Sequence, residues 1–204
     1  AFYPIPSYSL PLGAIISKKT SNFLVAEKSI SVSNLVNGTT RLQPVVLQVG
    51  QIAGLIASES IKNNISTNEI DIRDIQTKVL NNGGYIQPYL DVEKDHPFFK
   101  VYQRIGSTGI LRATGLNVGW SNQTWFYPDK SIVLDQLLKD LGNYYDLNKN
   151  PLSDLRIKTI FKWISLLQDQ EIENQYKIWK DLGLSNFNID RSVNRGEFAV
   201  ILDY

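Results

Sequence analysis

Apolar residues recur at helical spacing along most of this chain. Leu42, Val45, Val46, Val49, Ile52, Ala53 and Ile56 form the longest series and predict a helix over residues 41 to 63. Pro44 suits its first turn, where an amide hydrogen would have no partner. Gly50, Ala53, Gly54 and Ala57 share its apolar side. Each glycine costs about 1 kcal/mol in a helix interior, so the pattern predicts close packing against a sheet or another helix. Ahead of it, Asn22-Phe23-Leu24-Val25-Ala26 reads as a buried strand, and residues 23 to 33 hold one strand or two short ones. Asn37 to Arg41 reads as a polar turn. Residues 1 to 21, with Pro4, Pro6, Pro11 and Gly13, read as extended chain and turns.

Ser66-Thr67-Asn68-Glu69 predicts a capping box, opening a helix with Ile72, Ile75 and Val79 on one face and Gly83-Gly84 at its close. Tyr85 to Leu90 reads as a boundary segment. Beyond Asp91 the pattern changes to short helices and aromatic loops. Four stripes predict helices: Phe98, Val101, Tyr102 and Ile105; Leu134, Leu137, Leu138, Leu141 and Tyr145; Ile157, Ile160, Phe161, Ile164 and Leu167; Ile172, Tyr176 and Trp179. Trp163 and Trp179 fall in these stripes and are expected in a core. Asn194-Arg195-Gly196-Glu197 predicts a second capping box, opening a last helix with Phe198, Ile201 and Leu202. Gly115 to Thr124 reads as a loop. The expected fold class is α+β and predominantly α-helical. Residues 1–84 hold short strands and a long helix, and residues 91–204 form a module of helical hairpins.

The second part contains an internal repeat. Asp129-Lys130-Ser131-Ile132 with Gln136-Leu137-Leu138 matches Asp190-Arg191-Ser192-Val193 with Glu197-Phe198-Ala199, and Phe126 and Phe187 keep the same offset. Each copy follows a glycine turn, at Gly109 or Gly183. Such units stack because neither buries its apolar face alone.

Composition narrows the chemistry. The net charge is +1 without basic blocks, so there is no electrostatic footprint for nucleic acid. Cysteine is absent, which removes disulfides, thiolate metal sites and cysteine nucleophiles. No apolar run approaches the length of a membrane span. Methionine is absent even at position 1, and the chain is expected to belong to a longer reading frame.

Several ordered motifs carry a resemblance. They are Ile5-Pro6, Leu10-Pro11-Leu12-Gly13-Ala14-Ile15, Ser21-Asn22-Phe23-Leu24-Val25-Ala26, Lys28-Ser29-Ile30-Ser31-Val32-Ser33, Asn37-Gly38-Thr39-Thr40-Arg41-Leu42-Gln43-Pro44 and Gly50-Gln51-Ile52-Ala53-Gly54. Over residues 3 to 83 they resemble the C-terminal end of a bacterial FAD-dependent oxidoreductase family often labelled xanthan lyase. The resemblance implies that Asn37, Gly38, Thr39, Thr40, Arg41, Leu42, Pro44 and Val45 face the flavin, with the positive helix end at the ring's pyrimidine edge. It also implies that FAD belongs to a parent protein acting on a small or carbohydrate-like substrate. Glu27-Lys28 stands where many members carry Gly-Arg or Gly-Lys. Gln43 and Val46 stand where several carry His and Glu, which removes candidate proton-transfer groups. No GxGxxG fingerprint occurs in the sequence, so phosphate and ribose contacts are expected from a missing N-terminal FAD-binding half. The chain alone is expected neither to retain FAD nor to be active, and its exposed helix face implies a homodimer.

Asp91-Val92, Asp95-His96-Pro97-Phe98, Gly109-Ile110-Leu111, Phe126-Tyr127-Pro128-Asp129 and Arg191 to Ala199 resemble degenerate S-layer-homology repeats. That resemblance implies a bacterial periplasmic or surface setting and contact with glycan. The competing function is therefore a non-enzymatic envelope module binding glycan or protein, with Trp120, Trp125 and Tyr127 as its candidate contacts; the other reading of these rings, with Phe126, is that they fill the core between the repeats. Polysaccharide cleavage rests on the family label alone. No catalytic residue is assigned. His96 is expected to cap a helix or lie at the surface, and the Asp91-Glu93-Asp95 stretch lacks the spacing of a calcium loop and reads as a solvated turn, so no metal site is expected.

Overall fold

The computed structural model describes residues 8–119 and 121–204. Among them are eight α-helices and one two-stranded antiparallel sheet, so the fold is α+β and mostly helical. The chain divides into two compact units between Ile86 and Gln87.

The unit from Tyr8 to Ile86 contains α1 (Asn34–Thr40), α2 (Gln43–Asn63) and α3 (Ile72–Asn81). The long helix forms as the apolar spacing predicts, and it stops at Asn64, which takes a left-handed conformation with φ 52°. Val46, Val49, Ala53 and Ile56 turn inward, against a small core that includes Ile15, Ile30 and Ile75. Glu59, also inward, pairs with Lys78 of α3 and with Lys62.

Four expectations fail in this unit. The segment Asn22–Ala26 is no strand. A single antiparallel bridge joins Ile16 and Leu24, supported by Val25 N–H to Ile15 O at 2.8 Å, and Phe23 is exposed. The turn at Asn37 to Arg41 is mostly helix α1, because the Ser33 hydroxyl caps it by accepting the Val36 amide at 3.3 Å. The box at Ser66 forms by half: Glu69 accepts the Ser66 amide, but α3 opens five residues later, where the Asp71 carboxylate accepts the Arg73 amide at 2.7 Å. The glycine stripe of α2 is not packed. A Cβ placed at Gly50 or Gly54 would meet nothing within 4 Å, and Leu47 and Ile61 on the same side are 73% and 81% exposed. The helix is also long and apolar enough to cross a membrane by length and composition, although its polar residues break up every uninterrupted apolar run.

The unit from Gln87 to Tyr204 contains α4 (Phe99–Thr108), β1 (Thr114–Val118), β2 (Ser121–Trp125), α5 (Leu134–Leu141), α6 (Ile157–Gln168), α7 (Gln175–Asp181) and α8 (Arg195–Asp203). The four stripes become α4 to α7, except that Phe98 and Ile172 precede their helices and Tyr145 follows its own. Phe126, Phe161, Trp163, Trp179 and Phe198 are fully buried at the centre, as expected for the two tryptophans. The last capping box is complete: Asn194 accepts the Glu197 amide at 2.8 Å and Glu197 accepts the Asn194 amide at 2.9 Å. Helix α8 packs on α4, and Arg104 pairs with Asp203 across them. Gly196 permits this approach, since a Cβ there would lie 2.5 Å from the Tyr102 hydroxyl.

The segment read as a loop at Gly115 to Thr124 is largely a hairpin. Thr114 pairs with Trp125, Leu116 with Gln123 and Val118 with Ser121, around a turn in which Gly119 has φ +58°. Lys130 N–H closes a turn on Tyr127 O before α5, and Arg191 N–H closes the matching turn on Asn188 O before α8, both at 3.1 Å.

Candidate functional site

The first candidate site is the junction of α1 and α2. Helix α1 ends where the Arg41 amide reaches Asn37 O at 3.2 Å and the Leu42 amide reaches Thr39 O at 3.3 Å. Leu42 then takes an extended ψ of 138° and becomes the N-cap of α2, without a side-chain oxygen to cap it. Its carbonyl accepts the Val45 and Val46 amides at 3.0 Å. The positive end of a 21-residue helix is thus left without a side-chain acceptor. Arg41 stands beside it, exposed, with no hydrogen bond or ion pair of its guanidinium among the described residues. Asn37 Oδ1 and Thr40 Oγ1 are buried without partners among the described residues. Gly38 faces open space, and Thr39 is held by Tyr8 and by its own bond to Val36 O at 2.8 Å. Leu42, Pro44 and Leu47 are exposed, and Val45 is half-buried.

This arrangement can attract negative charge and cover an apolar surface. It cannot transfer protons, because none of Asn37, Gly38, Thr39, Thr40, Arg41, Leu42, Pro44 and Val45 is an acid or base near neutral pH. It is one open wall rather than an enclosed pocket.

The second candidate site surrounds β2 and the turn from Tyr127 to Lys130. Trp125 and Tyr127 are half-buried, and their rings stack with centroids 5.7 Å apart and planes 12° apart. Trp120 lies outside the described residues. Phe126 belongs to the core, stacked on Tyr102 at 4.8 Å. Lys130 Nζ sits 3.3 Å from the centroid of the Tyr127 ring. Sequence reasoning missed three residues that build this region. Asp91, read as part of a solvated turn, accepts the Phe126 and Tyr127 amides at 2.8 and 2.6 Å. Arg195, read as a helix cap, instead donates to the carbonyls of Phe126 and Arg112 and lies over the Phe126 ring. Desolvation lowers its pKa from the ordinary arginine value. Arg191 clamps Glu197 and the Asn186 carbonyl beneath the Trp179 ring. The motif contained Arg191 and Arg195; the partners of Arg191 lie five and six residues away, whereas those of Arg195 lie 69 and 83 away, too far along the chain to read.

Elsewhere, His96 Nδ1 accepts the Phe98 amide at 3.1 Å just ahead of α4, whose N-cap, Phe98, has no side-chain cap. No cluster of His, Cys, Asp or Glu among the described residues has the makings of a metal site. An open cleft of about 550 Å³ runs past Lys158, Lys162 and Gln175, and it takes in none of the residues singled out above.

Residues 2–79 match the family model described as FAD dependent oxidoreductase. This supports an FAD-dependent oxidoreductase part in the chain, and FAD is the cofactor of that family. Nothing in the match extends to residues 80–204. No curated protein and no solved structure matches the chain.

Proposed function

We propose that the Tyr8–Ile86 unit supplies one wall of a flavin site in an FAD-dependent oxidoreductase. The observation that carries this reading is Arg41, a cation with no counter-ion among the described residues, beside the start of α2, inside the stretch that matches the family. These residues fit the electron-rich edge of a flavin ring, where a positive helix end and a guanidinium stabilise charge. Asn37 and Thr40 add polar atoms in want of partners, and Leu42 and Val45 add apolar cover. FAD, when bound, accepts or donates the hydride. The chain's own share is to orient the ring and hold charge at its edge. Phosphate and ribose contacts fall to a dinucleotide-binding segment that this sequence does not contain.

The test is purification of the chain alone and together with a dinucleotide-binding segment of an FAD-dependent oxidoreductase. The chain alone is expected to be colourless, and the complex yellow. Arg41→Gln in that complex should weaken flavin retention about tenfold and make the flavin harder to reduce. Stoichiometric flavin on the isolated chain would overturn the one-wall reading. Unchanged affinity and potential in the variant would remove Arg41 from it.

A second reading applies to the Gln87–Tyr204 unit: a non-enzymatic module of S-layer-homology type, set in a bacterial periplasm or on the cell surface and engaging glycan. The half-exposed stack of Trp125 and Tyr127 favours it.

A further inference from the structure

The β1–β2 hairpin wears its side chains the wrong way round for an ordinary ribbon. Directly paired residues share a face, so Thr114, Leu116 and Val118 lie on one side with Trp125, Gln123 and Ser121. The other side carries Gly115, Asn117, Asn122 and Thr124, and Thr124 is only 5% exposed. The apolar row therefore points to solvent, with Leu116 and Val118 39% and 52% exposed. Trp125 continues this row onto Tyr127, and its Nε1 is tied to Gln123 Oε1 at 3.2 Å, which fixes the indole. Lys130 closes the row over Tyr127. No carboxylate among the described residues lies within ion-pair distance of Lys130. The neighbouring Asp129 is not so placed, and Asp91 is held from behind by two amides.

We infer that this outward face binds a sugar chain bearing carboxylate groups. A pyranose presents a flat C–H face to an aromatic ring and hydroxyls around its rim. Trp125 meets the first need, and Gln123, Ser121 and Thr114 meet the second. The fixed cation of Lys130 matches a uronate-type carboxylate. A protein partner's anchoring side chains would want a fully desolvated pocket, whereas this row is half-buried or exposed along its length. The inference rests on the second reading above and gives its ligand class and its contacts.

The test titrates the full chain with sodium alginate and with neutral dextran. Alginate is expected to bind, and dextran about tenfold more weakly. Trp125→Ala should weaken alginate about tenfold or more, and Leu116→Asn on the same face about threefold should the tryptophan variant fail to fold. Lys130→Gln should erase the preference for alginate, and salt should do the same progressively. Equal affinity for the two polymers would overturn the acidic ligand. Alginate binding untouched by these variants would overturn the site. A parallel titration with envelope glycan separates the two claims: binding there that survives every variant leaves the second reading standing without this face, and no binding to any polymer removes both.

Discussion

Leu35, Leu42, Leu47 and Ile61, all in the Tyr8–Ile86 unit, stand between 56% and 81% exposed. In the Gln87–Tyr204 unit, five large aromatic side chains are sealed below 2%. The second unit also exposes Val133 and Tyr176, but around a closed centre. The first unit holds its long helix on few inward residues and leaves a stripe of glycine, leucine and isoleucine in water. The difference teaches that a helix can form on its own periodicity while its packing surface stays uncovered. It is the half with the family match that is left open.

The comparison can be broken most decisively in the core. Trp163→Ala, which also orphans the Asn150 carbonyl, should cost about 3–5 kcal/mol in urea unfolding followed by circular dichroism. Ile56→Ala in the first unit should cost about 2 kcal/mol, the low end, because its looser surroundings can relax. Equal losses would mean that the two cores are equally closed.

Alanine at Gly50 and Gly54 sharpens the point. With open space at both positions, each substitution should raise the chain's stability by about 1 kcal/mol. In the complex with a dinucleotide-binding segment the sign should reverse, since a Cβ would then intrude on a packed face. Stabilisation in both settings would place that partner elsewhere.

Acid gives the smallest effect. Lys78 holds Glu59 below the usual carboxylate range, and Arg156 and Lys158 do the same for Asp154 and Asp190. A carboxylate depressed in the folded state stabilises above its unfolded value, and that stability is lost as pH falls through the folded one. Thermal midpoints should therefore decline as pH drops below about 4. Glu59→Gln should flatten the decline in the first unit, and Asp154→Asn in the second. A slope unchanged by both would show that these pairs add nothing to either.

What the sequence disclosed follows from the range of each interaction. The α2 span and the Asn194–Glu197 cap are local, and residue types four or fewer positions apart announced them. The hairpin stayed hidden because its apolar alternation serves solvent, so it marks no core, and its turn lacks the Asn-Gly pair that would have signalled it. Residues 22–26 look strand-like in composition, but a strand needs a neighbour, and only one pair of residues meets there. At the candidate flavin wall, the residue types were readable from the motif. The lack of a partner for Arg41 among the described residues and the exposure of Leu42 were not, because they depend on where distant parts of the chain lie.

The Arg195 side chain reaches carbonyls 69 and 83 residues earlier, and Asp203 meets Arg104 across 99. During synthesis, Phe126 and Tyr102 therefore wait without the cover of residues 195–203 until that segment has left the ribosome, so this unit closes late, through contacts its helix α8 makes with far earlier chain.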